Sequence, residues 1–165
     1  MTANLPPDIT NRFDTLIHQS IELLLNLQGL LDSELQALQK RDLERLQQSN
    51  RDKHECLLAI DHNIRERNAL LDQLGISHDR VAVLDLIARL PAPDNTRLND
   101  GWQQLEAALE KIRLLNQRNE QVLLRNKQNT DQLLAILQGH ARGNSIYNQK
   151  GDKGRYEGQR SLGKA

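Results

Sequence analysis

The residues with the clearest potential for chemistry are His54, Cys56 and His62, which lie close together in the sequence. Imidazole and thiolate are ligands that zinc prefers. In a helix, however, His54 and Cys56 point about 200° apart, and no further Cys or His completes a tetrahedral set. We therefore expect no metal and no cofactor here, and interpret the histidines as surface residues beside a small buried thiol.

The chain also lacks the short motifs of common enzyme active sites. It has no P-loop, no glycine-rich dinucleotide fingerprint, no Gly-x-Ser-x-Gly and no His-Glu-x-x-His. Its carboxylates alternate with Lys and Arg, as on solvated helix faces. The formal net charge is zero, which gives no indication of a nucleic-acid partner. The sequence predicts a protein that is not an enzyme and binds no nucleic acid.

The single cysteine excludes an internal disulfide and fits a reducing compartment. No apolar run approaches the roughly 18 residues of a membrane span, and no signal peptide opens the chain. We expect a cytoplasmic protein without membrane insertion.

The composition favours helix, because Leu, Gln, Glu, Lys and Arg are plentiful and aromatic residues make up only 2%. Apolar positions from Phe13 to Leu38 predict a first helix, with Asp8 as its N-cap. A turn is expected at Lys40–Asp42, with Asp42 capping a second helix. No Gly or Pro marks this turn, so one continuous helix remains an alternative.

Two further long helices follow from heptad patterns. The second helix is expected to use Leu43, Leu46, Asn50, Lys53, Leu57, Ile60, Ile64, Arg67, Leu71 and Leu74. The third, from Asn95 to Gln138, is expected to use Leu98, Trp102, Leu105, Leu109, Ile112, Asn116, Asn119, Leu123, Asn126, Thr130, Leu133 and Leu137. A second stripe at Ala108, Leu115, Val122 and Ile136 widens the apolar face of the third helix.

Between these helices, Gly75 is expected at the C′ position of the second helix. Ser77 then caps a short connecting helix, which Pro91-Ala92-Pro93 ends. Asp94 or Asn95 caps the third long helix.

Polar residues interrupt both heptad patterns. They are Lys53, Asn116, Asn119 and Asn126, and we call them the polar seam. If the second and third helices run antiparallel with Leu74 level with Leu98, Lys53 falls level with Asn119. An ammonium beside carboxamide oxygens would make a sensible buried layer. The alternative is that each side chain reaches the rim of a thin bundle.

Residues after Gly139 have a different composition. Six of the nine glycines lie at or after this position, and few large apolar residues remain. Such a segment cannot bury enough apolar surface to offset its ordering entropy. We predict a helical domain over 1–139 and a flexible, weakly basic tail over 140–165. The expected fold is all-α: an elongated antiparallel bundle of three long helices, a short connecting helix and a disordered C-terminal tail.

Several short motifs occur in an order typical of one protein family. Lys40 to Leu43 forms a Lys-x-Asp-Leu turn, and Arg67 to Leu71 reads Arg-x-x-Leu-Leu before Gly75. The third helix carries Leu-Asn-x-x-Asn at 115–119, and the tail carries Tyr-Asn-Gln-Lys-Gly at 147–151. The chain resembles the FlgN family of bacterial flagellar export chaperones for hook-associated proteins.

The resemblance implies a non-enzymatic escort, monomeric or dimeric. It would bind the terminal helices of hook-associated proteins and deliver them to the flagellar type III export apparatus. It also implies a client surface in the C-terminal part, with partner-binding residues Leu133, Leu134, Ile136, Leu137, Ile146 and Tyr147. The apolar residues at 133–137 cover more than one helix face, more than a three-helix core needs. The alternative is a structural coiled-coil protein that acts by self-association.

Overall fold

The computed structural model describes residues 5–138 together with 145–147 and 153–155. Four helices lie in the first range: α1 (Pro7–Lys40), α2 (Leu43–Gln73), α3 (Arg80–Arg89) and α4 (Asp94–Leu137). They confirm the predicted all-α class, with three long helices and one short connecting helix. By their contacts, the chain forms two compact units, residues 1–119 and residues 120–165. This division falls before the predicted domain boundary at residue 139.

Two short strands lie in the segment predicted as a tail. The strands β1 (Ser145–Tyr147) and β2 (Lys153–Arg155) pair antiparallel, with Ile146 opposite Gly154. This pairing of strands was not predicted from the sequence. The other residues of 140–165 lie outside the described part of the chain, so the flexible tail stays a prediction.

The turn between α1 and α2 is formed as predicted. Arg41 adopts the left-handed conformation with φ 54°, and Asp42 accepts a hydrogen bond from the backbone N–H of Arg45 at 3.0 Å. The predicted cap of α1 is wrong. The N-cap is Pro6 and the helix begins at Pro7, with Asp8 in its first turn. Proline suits the first helical position, held by Pro7, because a backbone N–H at this position would have no acceptor inside the helix.

The end of α2 is a Schellman motif around Gly75, as predicted. Gly75 has φ +66°, and the N–H of Ile76 donates to the carbonyl of Leu71 at 2.9 Å. The cap of α3, however, is Asp79 and not Ser77. The Asp79 carboxylate accepts from the N–H of Ala82 at 2.8 Å.

The helices α1 and α2 run antiparallel and are joined by a row of polar side chains. The α2 side chains Ser49, Cys56 and Asn63 donate to the backbone carbonyls of Leu30, Leu23 and Leu16, at 3.5, 3.4 and 2.9 Å respectively. Donors and acceptors both recur every seven residues, which is the spacing of one helix face. Asn63 also accepts from the hydroxyl of buried Ser20. The row therefore sets the alignment of α1 on α2.

The first part of α4 runs parallel to α1. Near its start the rings of Phe13 and Trp102 stack with centroids 6.5 Å apart, and further along Asn119 bonds to the carbonyl of Leu31. Between these points lies one apolar core, drawn from all four helices. It includes Ile17, Leu24 and Leu31 of α1, Cys56 and Leu71 of α2, Val83 and Ile87 of α3, and Leu98, Leu105, Ile112 and Leu115 of α4.

The predicted heptads were half right. In α4 the buried residues are Leu98, Gly101, Leu105, Ile112, Leu115 and Asn119. In α2 they are Ser49, Cys56, Asn63 and Leu71. In each helix one predicted heptad series faces the core, and the other predicted series lies one residue beyond the buried positions. In α4 those buried positions belong to the predicted second stripe, since Leu115 is buried and Ala108 packs against the core. Leu57, Ile64, Leu109 and Leu123 are consequently exposed.

Gly101 lies at the close approach of α4 to α1. A Cβ atom at this position would lie 3.2 Å from Ile17 Cγ2, whereas a Cβ at Gly29 of α1 would meet nothing within 4 Å. We expect Gly101→Leu to lower the free energy of unfolding by about 1–3 kcal/mol, because it overpacks a filled interface. Urea unfolding followed by circular dichroism measures the change.

The matched control is Gly29→Leu, the same substitution on an exposed helix face. It should raise the free energy of unfolding by up to about 1 kcal/mol, because Leu has the higher helix propensity. Equal effects of the two substitutions would contradict the close approach at Gly101.

Candidate functional site

The first candidate is a buried polar layer around Glu34 of α1. Its carboxylate accepts from Lys53 Nζ at 2.9 Å and from Asn119 Nδ2 at 3.1 Å. The side chains of Lys53 and Glu34 are only 23% and 15% exposed, so water screens this pair weakly. The structure thus places Lys53 of α2 and Asn119 of α4 at one level, with the carboxylate of Glu34 of α1 between them.

Glu34 is not among the residues predicted for the polar seam, because the apolar pattern of α1 was taken to consist of apolar side chains alone. The sequence pattern does indicate Glu34. Leu24, Leu27, Leu31 and Leu38 follow alternating steps of three and four residues, and position 34 is the one member of this series that is not apolar. A carboxylate on such a face requires a cationic partner from another helix.

Asn119 ties α4 to α1 through further bonds. Its Nδ2 donates to the carbonyl of Leu31 at 2.8 Å, and its Oδ1 accepts from Arg118 Nε at 3.1 Å. Arg118 in turn forms an ion pair with Asp32 at 2.9 Å. The other two members of the polar seam lie differently: Asn116 is exposed and Asn126 is half-buried.

The second candidate is the C-terminal apolar cluster, which we define as Leu133, Leu134, Ile136 and Leu137 of α4. Their exposed fractions are 52%, 48%, 56% and 81%. Among residues 120–138 no residue is buried. These side chains therefore contribute little to the packing of the described chain, although four large apolar residues in five positions are typical of a core.

The cluster continues the buried face of α4. Leu133 follows Ile112 and Asn119 at multiples of seven, and Ile136 follows Leu115 in the same way. Positions seven apart on a helix lie within about 20° of each other. Two residues of the cluster thus occupy heptad positions that are buried earlier in the helix. The heptad pattern of α4 thus continues into the cluster, but the side chains of the cluster are exposed.

The two predicted partner-binding residues of the tail, Ile146 and Tyr147, belong to β1. The structure describes only their backbone, which pairs with Gly154 and Lys153 of β2. The positions of their side chains lie outside the described part of the chain.

The histidines and the cysteine considered as metal ligands are held separately. His54 and His62 are exposed, and His62 lies 3.1 Å from Glu66. Cys56 is buried, and burial raises the pKa of its thiol while a hydrogen bond from Asn26 acts in the opposite direction. Within the described residues, no three His, Cys, Asp or Glu side chains are grouped as a metal site would require. Nor does any helix of the described chain combine the length and apolarity of a membrane span.

Asn119 and Asn116 provide a matched pair of substitutions on one helix. Asn119→Ala removes bonds to the Leu31 carbonyl and to Glu34 in a buried layer. It should lower the free energy of unfolding by about 1–3 kcal/mol. Asn116→Ala, one turn earlier on an exposed face, should change it by no more than about 0.5 kcal/mol. Chemical denaturation measures both, and a neutral Asn119→Ala would show that the layer does not hold α4.

Comparison with known proteins identifies the family of the chain. Neither the curated proteins nor the solved structures match this chain significantly. The family described as "FlgN protein" matches residues 9–155, which include all but the first two residues of α1, the whole of α2 to α4, and both strands. Because the match covers most of the sequence, the chain belongs to the FlgN family, a family of flagellar export chaperones.

Proposed function

We propose that this protein is a cytoplasmic chaperone that binds the terminal helices of hook-associated proteins before their export. The observation that carries the proposal is the C-terminal apolar cluster, half or more exposed at three of its four residues. Membership of the FlgN family supports flagellar export as the process. The client class and the binding surface are the parts that experiment must test.

The physical basis is the pairing of two incomplete apolar faces. An amphipathic helix buries its apolar stripe in a groove through anchors spaced three and four residues apart. Leu133, Leu134 and Leu137 have this spacing on α4. A client helix laid against them would cover these side chains and its own apolar face together. Each partner would thereby be kept from aggregation, since exposed apolar patches promote association.

An export chaperone must release its client readily. A surface of a few leucines has no buried ion pair to break, so its affinity is set by apolar area and by ordering of the client. We propose that the chaperone is a monomer or a dimer. We also propose that its complex with the client docks at the flagellar export apparatus. Ile146 and Tyr147 of the tail are proposed as additional client contacts.

Self-association through the same surface is the second candidate function. The cluster occupies heptad positions, and two copies of an uncovered heptad face can pair as a coiled coil. Sedimentation velocity over a wide concentration range separates the two functions. A chaperone should keep one mass and form a defined complex with its client, whereas a self-associating scaffold should increase in mass with concentration.

The binding surface is tested by Leu133→Asp together with Leu137→Asp. These residues lie one turn apart, so both charges fall on one side of the cluster. We expect the affinity for a peptide from a hook-associated terminal helix to fall at least tenfold, which is about 1.4 kcal/mol. Isothermal titration calorimetry measures it. The melting temperature should change little, because both side chains are exposed.

The matched control is Leu57→Asp together with Leu58→Asp on α2, where the two leucines are 51% and 57% exposed. This variant should bind the client as the unsubstituted protein does. If the cluster variant also binds normally, the client site lies elsewhere. A truncation after Gln138 then separates the contribution of the tail.

A further inference from the structure

A small cavity lies beside the single tryptophan of the chain. Its volume is about 210 Å³, and Phe13 of α1, Arg67 and Leu71 of α2, Val83 of α3 and Trp102 of α4 line it. His78, also on the wall, lies 2.6 Å from the carboxylate of Asp72. All of these residues belong to the first compact unit. The cavity is smaller than the roughly 300 Å³ at the lower end for drug-sized ligands, so it suits one or two side chains.

Arg67 is unusual among the cations of this unit. Its guanidinium is half-buried, with Cζ 5.8 Å from the centroid of the Trp102 ring. Its Nε is buried without a hydrogen-bond partner, and among the described residues no carboxylate forms an ion pair with it. Arg12 and Arg80, by contrast, are paired with Glu66 and Glu106. Burial accordingly lowers the pKa of Arg67.

A half-buried cation to which the described residues offer no counter-ion attracts an anion, because no ion pair with those residues must break first. The planar guanidinium matches a carboxylate through two parallel hydrogen bonds. The cavity wall next to it is apolar: the half-buried ring of Trp102 stacks on the buried ring of Phe13, and the buried side chains of Leu71 and Val83 complete this part of the lining. The same pocket thus presents one charged and one apolar recognition element.

We propose that this pocket binds a peptide carboxylate next to an apolar side chain. The carboxylate binds Arg67 and the apolar side chain packs on Phe13 and Trp102. The carboxylate can come from a chain terminus or from an acidic residue, and the experiment below separates the two sources. This site does not depend on the proposed client surface on α4.

The test uses the fluorescence of Trp102, which reports on the pocket directly because it is the only tryptophan. The full-length protein is titrated with three hexapeptides that lack tryptophan. The first ends in Leu with a free carboxylate, the second is its amide, and the third is an amide with Glu next to the Leu. We expect saturable changes with the first peptide, the third or both, and an affinity for the second at least about tenfold weaker.

Arg67→Met tests the role of the guanidinium, with Arg65→Met as the control. Arg65 lies on the same helix, and its side chain is 78% exposed. Arg67→Met should abolish the discrimination between carboxylate and amide while melting no lower than the unsubstituted protein, because it removes an unpaired half-buried charge. Arg65→Met should bind as the unsubstituted protein does.

Two results would overturn the proposal: equal binding of all three peptides, or no saturable change with any of them. A change with the first peptide alone assigns a chain terminus as the ligand. A change with the third alone assigns an acidic side chain. If Arg67→Met fails to fold, the contrast between carboxylate and amide on the unsubstituted protein still decides the matter.

Discussion

The alignment of α2 on α1 depends on hydrogen bonds from side chains to backbone carbonyls. Ser49, Cys56 and Asn63 each donate to an α1 carbonyl one heptad apart. Small side chains at this face let the two helices approach closely, and the bonds satisfy polar groups that would be costly to bury alone. A slip of one residue would break every bond in the row. The neighbouring leucines of α2, including Leu57 and Leu58, are turned toward solvent as a result.

Ring stacking and a charged layer hold α4 in place. At one end the Phe13 and Trp102 rings stack, and at the other Asn119 and Lys53 meet the carboxylate of Glu34. Between them Gly101 permits contact with Ile17. A carboxylate and an ammonium in a weakly exposed layer add little net stability, but they disfavour any alignment that separates them. Burial on α4 ends at Asn119, where the first compact unit also ends.

The two recognition surfaces proposed here differ in their physics. The proposed client surface, the C-terminal apolar cluster, would rely on apolar area and would accept helices that carry a suitable apolar stripe. The Arg67 pocket relies on a half-buried guanidinium beside two aromatic rings, and because the described residues offer it no carboxylate partner, it would select for a carboxylate ligand.

The sequence by itself determined the helices, their ends at Asp42 and Gly75, and one heptad position in each long helix. Composition, caps and turn residues are local, so they need no knowledge of neighbours. The sequence also placed Leu115 of α4 on an apolar stripe, but only the tertiary structure decided that Leu115 and not Asn116 is buried, and that Asn63 and not Ile64 is buried in α2. Residues three and four positions further along a helix point about 60° to one side and about 40° to the other side of a given residue. Which of the two is buried therefore depends on where the neighbouring helix lies. The sequence placed Lys53 level with Asn119 but did not predict Glu34 between them, nor the Arg67 pocket, because each of these sites is assembled from several helices.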